Sequence, residues 1–505
     1  MAKAATIQTI QLSPNRPTGN FWVDTGLVVL LDQFGPGQHS VDLVLNWLLS
    51  QLVQPSGKKA RYYDPSTGQI REYNKVNWVY PTNLFIKVAG DAPKIKIKVD
   101  GKEERLFTEP PRYKLNLKLS KKRDTCDLCG DHAPLTDAKM WMFPFVVEPN
   151  KFGTFYPGTK RGLRLCARCA LAGLAGYLGW LWKTQGRDAL HFFIFHAEMQ
   201  ELIRLHREVL KPLRLSGERG GTARVAFSGH YVNETTLGLL LELFRHVRQS
   251  DLLTDKARAL LANLLGATNN VPKAAITLYA VTGTPAQAFQ MKALREFSRL
   301  QRLYHLYESW LRLIGEKQID PNPHHRVVQI WAQFWAKQGK NLDSIWRERI
   351  AWALLEFGDP TSYVEDFLFV ARARDENPRP LVRGTIDVLN QYLREVFGMD
   401  EQFQRTLSGF GHSLGAKAQE RTEMGILYAL RNAKNPEDFY RVLNDAQFRL
   451  EITIPEALLR IEKGERIAGA PWMRVKTLLS IYAMNAYLRG TARAQTESKE
   501  VTEEE

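Results

Sequence analysis

The chain has 505 residues, of which 44% are hydrophobic, 10% aromatic and 24% charged. That balance excludes a largely disordered chain, and the length suggests roughly three domains at about 150 residues each. Lysine and arginine number 69 against 54 acidic residues, a net charge of +15, and the acid-rich end Glu497–Glu505 leaves the rest more basic still. A folded body of this charge implies a polyanionic partner, for which nucleic acid is the usual choice.

Met1–Ser13 carries no apolar run, so no secretory signal is expected there. The greasiest stretch, Ala170–Trp182, contains three glycines and falls short of the roughly 20 residues a bilayer span needs. Four cysteines in so long a chain make no disulfide scaffold. The reading is a cytoplasmic protein with no membrane partner.

Residues 1–235 read as mixed α/β. Asn20 and Gly26 punctuate the apolar run GNFWVDTGLVVLLDQF, and Val41–Leu52 repeats apolar residues on one helical face. A hairpin is expected to turn at Asp64-Pro65-Ser66-Thr67-Gly68, between Tyr62–Tyr63 and Ile70. Lys94–Val99 and Lys114–Leu119 alternate strictly, the period of a half-buried strand, so Lys94, Lys96 and Lys98 share one exposed face. Lys94–Arg123 holds eleven basic and four acidic residues. Two readings stand level: an edge strand protected by lysine, or a basic face that tracks phosphates and includes Lys121, Lys122 and Arg123. The Gly-rich loop Gly217–Arg224 could bring Arg219 and Arg224 to a nucleic-acid groove, although a flexible connector is the simpler reading.

All four cysteines fall in two knuckles, Cys126-x-x-Cys129 and Cys166-x-x-Cys169. A two-residue gap lets both sulfurs of a turn converge on one point, so the pair of knuckles suits a structural Zn²⁺ in a module over about residues 124–170. Two redox motifs would be needed without reason. His132 is a conceivable extra ligand that a complete set of four thiolates makes redundant. The long spacer reads as two aromatic strands joined at Pro149–Gly153.

Beyond Thr235 strand signals nearly vanish. TTLGLLLELFRHVRQ, FQMKALREFSRLQRLYHLYESWLRLIG and SIWRERIAWALLEFG read as helices of a domain over 236–375. Arg372–Pro380 reads as a linker, 381–490 as a C-terminal helical bundle and 491–505 as a disordered acidic tail. Asn435 is expected to cap a helix with Pro436 at its first position. The fold class is therefore α+β. Aromatics at helical spacing, Phe297–Trp310 and Ile330–Trp346, belong to cores rather than to base stacking.

Enzyme motifs fail on context. Gly411-His412-Ser413-Leu414-Gly415 matches a nucleophile elbow, but a helix precedes it and no histidine follows residue 412. His191, His196 and His206 read as core or surface histidines. No constellation worth calling catalytic emerges.

TGNFWVDTG (Thr18–Gly26), the two knuckles with RLCARCALAG, an α/β front and a helical back resemble the large subunit of a type I CRISPR Cascade complex, of the I-A/I-B group with a double CxxC region. The specific motifs cover Thr18–Gly26 and Cys126–Gly173. The resemblance implies a subunit that cleaves nothing. It would hold the 5′ end of the guide RNA, read a short motif on the target duplex DNA and help open it, contact other Cascade subunits and recruit a helicase–nuclease. It also implies that the C-terminal bundle resembles the small subunit that contacts the displaced single strand, with Lys417, Arg421, Arg431 and Lys434 as candidate contacts and Met399 as a candidate internal start. The alternative is a zinc-stabilised nucleic-acid-processing enzyme with an unrecognised site.

Overall fold

The computed structural model describes residues 8–78, 93–99, 102–111, 117–138, 142, 162–185, 188–216, 222–267, 276–284, 290–338, 341–375 and 378–503. Helices and strands both contribute substantially, an α+β chain. It divides into two compact units, Met1–Arg224 with His246–Gln301, and Val225–Arg245 with Arg302–Glu505.

The first unit opens with β1 (Thr9–Leu12), α1 (Phe21–Phe34), β2 (Gly37–Ser40) and α2 (Val41–Leu52). Asn20 starts α1 because its side chain accepts the amides of Trp22 and Val23, both at 3.1 Å. The expected hairpin follows as β3 (Val53–Asp64) and β4 (Gln69–Trp78). Gly68 closes its turn at φ 66°, and the Asp64 carboxylate accepts the Ser66 amide. Next come β5 (Lys94–Val99) and β6 (Lys102–Phe107), which complete a sheet of order β4-β3-β6-β5. Of the alternating segment Lys114–Leu119, residues 114–116 lie outside the described residues, and Leu117–Ser120 form no strand.

Three short strands, β7 (Arg123–Thr125), β8 (His132–Asp137) and β9 (Arg164–Cys166), precede α3 (Ala167–Ala175). The two aromatic strands expected in the spacer lie outside the described residues. Then follow β10 (Leu181–Gln185), β11 (Asp188–Phe195), α4 (Met199–Leu205) and α5 (Lys211–Leu215), with a π-turn over His206–Leu210. Helix α6 (Val232–Arg248) belongs mainly to the second unit, whereas α7 (Asp255–Leu264), β12 (Thr277–Thr284) and β13 (Gln290–Phe297) belong to the first.

These last two strands correct the all-helical reading beyond Thr235. They extend the order β10-β11-β12-β13, with β12 between β11 and β13. Gln290–Phe297 has apolar residues at helical spacing too, so periodicity alone could not separate the states. Pairing with the buried run Leu190–Ile194 decides it, through β12. The interior between α1, α3 and this sheet is aromatic: Trp22 lies 3.9 Å from Trp180 and 5.2 Å from Phe193, ring centre to ring centre. His191 and His206 are buried in this unit, and desolvation holds them down to about 3 and about 4.

The second unit holds α8 (Leu300–Glu316), α9 (Pro323–Ala332), β14 (Ala336–Gln338), β15 (Asn341–Asp343), α10 (Ile345–Leu355), α11 (Thr361–Asp366), α12 (Thr385–Phe397), α13 (Glu401–Glu420), α14 (Met424–Asn432) and α15 (Pro436–Leu450). The hairpin β16 (Arg466–Ile467) and β17 (Ala470–Pro471) leads into α16 (Trp472–Glu503). Asn435 caps α15 as expected, accepting the Asp438 amide at 2.7 Å. The expected linker lies inside this unit: Arg372 is buried and donates to Gln333 O at 3.2 Å. The acidic end, expected to be disordered, continues α16 to Glu503, with no Gly or Pro after Gly490 to interrupt it. Met399 is buried between α12 and α13. The helices beyond it share their core with α12, as Tyr482 donates to Asn390 Oδ1 at 2.5 Å.

The GxSxG-like segment lies in the middle of α13, where its glycines let α16 approach. A Cβ on Gly415 would come within 1.9 Å of Ala483 O, and one on Gly411 within 2.5 Å of Tyr482 Cβ. Ser413 is exposed and donates to Gly409 O.

Two outcomes follow from this packing. Gly415→Ala should destabilise the second unit by about 1–3 kcal/mol or more through overpacking, while Ser413→Ala should stay within about 0.5 kcal/mol of the parent in urea denaturation. Because His191 and His206 titrate lower when folded than when unfolded, the unfolded chain binds more protons between those values. Stability should therefore be full above pH about 6.5 and fall as pH drops toward 4 and 3. Replacing both by Gln should flatten that slope in denaturation midpoints measured across this range.

Candidate metal centre

The site is built by pairing β8 with β7 on one side and β9 on the other. Leu135 stands opposite Cys166, and Thr125 opposite His132. This ladder carries the second knuckle back to the first across the sequence spacer. Each knuckle is then shaped locally. Gly130 takes φ 73° and donates to Cys126 O at 3.0 Å, which tightens the first turn. Asp127 N–H donates to Arg164 O and its carboxylate accepts the Arg164 amide, so the two knuckles are bonded directly. Cys166 stands at the N-terminus of α3 and Cys169 in its first turn.

The four sulfurs lie within 4.8 Å of one another, and Cys129 Sγ is 3.7 Å from Cys166 Sγ. Four thiolates at about 2.3 Å from a tetrahedral ion would stand about 3.8 Å apart, so the cluster could hold a metal ion. Cys126, Cys166 and Cys169 are buried and Cys129 is half-buried. Contact among the sulfurs divides their acidity. The bond from Cys166 pulls Cys126 far down, and the bond from Cys169 takes Cys129 down to about 6. The same contacts push Cys166 up to about 12 and Cys169 up as well. A divalent cation among the four sulfurs would take the place of the protons they share.

Arg168 carries no signal in its spacing, yet it lies between the two second-knuckle cysteines and is 4% exposed. It donates to Arg16 O at 3.0 Å and pairs with Asp131, which also pairs with Arg16. Burial works against its charge, but Cys129, Cys169 and Asp131 outweigh that and hold it firmly protonated. A cation here offsets the negative charge of four thiolates. His132 is exposed and is not among the clustered ligands.

The centre is anchored by the segment Thr18–Gly26. Trp22 Nε1–H donates to Gly173 O at 2.7 Å. A Cβ on Gly26 would lie 1.7 Å from Ala172 O, so only glycine lets α1 meet α3 so closely. Asp24 is buried and accepts Thr18 N–H at 2.7 Å, Thr18 Oγ1–H at 2.8 Å and Gly19 N–H at 2.9 Å. Burial nonetheless raises its pKa, against those bonds and the charge of Arg168.

The basic candidates are scattered. Lys94, Lys96 and Lys98 line one face of β5, an edge strand. Lys121, Lys122 and Arg123 are exposed beside the first knuckle, and Arg123 donates to His132 O at 2.8 Å. Arg224 donates to Ser216 O, and Arg219 lies outside the described residues. In the second unit Lys417 pairs with Glu420, Arg421 with Glu451, and Arg431 with Asp366 while covering Phe369. Lys434 is exposed.

No helix among the described residues is long and apolar enough to cross a membrane. No family model and no curated protein matches this chain.

Replacing Cys126 and Cys129 by Ser should remove the bound metal, from about one ion per chain to none by elemental analysis. The first unit should then unfold at lower urea, whereas the parent's second unit should be insensitive to chelator.

Proposed function

We propose that this chain is the non-catalytic large subunit of a type I CRISPR Cascade effector, and that its metal centre holds structural Zn²⁺. The observation that carries the reading is the joint packing of the two segments behind the resemblance. Thr18–Gly26 and the RLCARCALAG helix meet through Trp22 and Gly26 around the cysteine cluster, so they act as one built element. Four sulfur donors within 4.8 Å of one another suit Zn²⁺ and leave no open position for a reacting water, which fits an organising role. The surplus of 15 positive charges fits a guide RNA and target DNA as partners. On this reading the subunit holds the 5′ end of the guide, reads the short duplex motif, supports strand opening and recruits a helicase–nuclease.

Co-expressed with a guide transcript, the chain should purify with RNA and bind duplex DNA with an affinity that falls steeply as salt rises. It should cleave neither with Mg²⁺ present. Reversing Lys94, Lys96 and Lys98 to Glu should lower the salt slope by roughly three, one for each phosphate no longer neutralised. Cleavage by the isolated chain, or no nucleic-acid binding at low ionic strength, overturns the reading.

A further inference from the structure

The sheet β4-β3-β6-β5 has an unusual face. Strand register sets Arg71 opposite Tyr62, Tyr62 opposite Phe107, and Phe107 opposite Lys94. One row across four strands thus reads cation, aromatic, aromatic, cation. The next row places Tyr73 opposite Ala60 on β3 and Lys96 opposite Arg105 on β6. Tyr73 and Tyr62 are diagonal neighbours with ring centres 6.2 Å apart at 67°. The Lys94 ammonium sits 4.3 Å from the Phe107 ring centre. Strand alternation adds Lys98 and Lys75 to the same side.

Charge on this face is one-sided. Its carboxylates are Glu103, 3.6 Å from Lys96, and Asp64, 3.3 Å from Arg71. Both lie at its margins. None of the described residues of the sheet is buried, and Tyr62, Tyr73 and Phe107 are each half-buried. Edge protection accounts for lysines on β5, which is an edge strand among the described residues. It does not account for three rings grouped on β4, β3 and β6, the opposite edge and the two interior strands.

We infer that this face binds single-stranded nucleic acid, stacking bases on Tyr62, Phe107 and Tyr73 while Lys94, Lys96, Arg71 and Arg105 hold the backbone. Aromatic platforms take unpaired bases because their π-faces are open, whereas a duplex hides them. Strands about 4.8 Å apart set neighbouring rings at a spacing that extended nucleotides can follow. Sequence preference should be weak, since every base offers a π-face. The inference rests on the nucleic-acid reading above but specifies its strandedness and its site.

The test uses the full, metal-replete chain and measures binding of a mixed-sequence single-stranded oligonucleotide, as RNA and as DNA, and of the same DNA as a duplex. Tyr62→Leu with Phe107→Leu keeps apolar bulk but removes both π-faces. It should weaken single-strand binding about tenfold or more, with duplex binding within about twofold of the parent's and metal content unchanged. If the double variant does not fold, photocrosslinking of 4-thiouridine RNA to the parent chain should map to Tyr62, Tyr73 or Phe107. Parental affinity in the folded variant, an equal loss for duplex and single strand, or crosslinks only elsewhere would overturn the inference while leaving the nucleic-acid reading intact. A parent chain that binds neither form overturns both.

Discussion

The first unit depends on the close crossing of α1 and α3. Gly26 removes the one atom that would strike Ala172 O, and Trp22 then fills the space and bonds Gly173 O. Helix α3 also begins at the second cysteine knuckle. The same short helix is therefore both a wall of the aromatic core and a support for the metal ligands. Core packing fixes where Cys166 and Cys169 point, and the β7-β8-β9 ladder brings Cys126 and Cys129 to meet them. Neither the crossing nor the ladder alone would bring all four sulfurs to one point.

Charge near the centre follows from this arrangement. Four thiolates around a divalent ion would carry excess negative charge, and a buried arginine beside them would supply part of the balance. Arg168 does this while tying the centre to Arg16 and Asp131. That bridge connects the first knuckle with the segment ahead of α1. Elsewhere the surplus of positive charge is distributed differently in the two units. The β4-β3-β6-β5 sheet presents cations and half-buried rings together, with Arg71 and Lys96 paired to Asp64 and Glu103, and in the C-terminal helices Arg421 and Arg431 are paired to Glu451 and Asp366.

The helical unit shows how one pattern can serve unrelated ends. Gly411-His412-Ser413-Leu414-Gly415 has the letters of a nucleophile elbow, yet its glycines work as a groove for α16. An elbow needs a strand before it and a strained turn at the serine. Here the serine is on the solvent side of an uninterrupted helix.

Several features were legible without coordinates because their causes are local. Asn435 caps a helix whatever surrounds it, the Asp64–Gly68 turn closes on its own bonds, and Val41–Leu52 declares its helix by period. The two knuckles mark the candidate metal ligands, since a two-residue gap is itself the geometry that lets sulfurs converge. Tertiary structure decided what depends on distant partners. Gln290–Phe297 could be strand or helix by pattern, and only pairing with β12 settled it. Arg168 is inconspicuous in sequence and acquires its role from burial beside sulfurs. Tyr62, Tyr73 and Phe107 lie on three strands, and their common face exists only through register. Local chemistry wrote the elements and the ligand set. Which surfaces face each other was set by long-range packing, which a one-dimensional pattern does not encode.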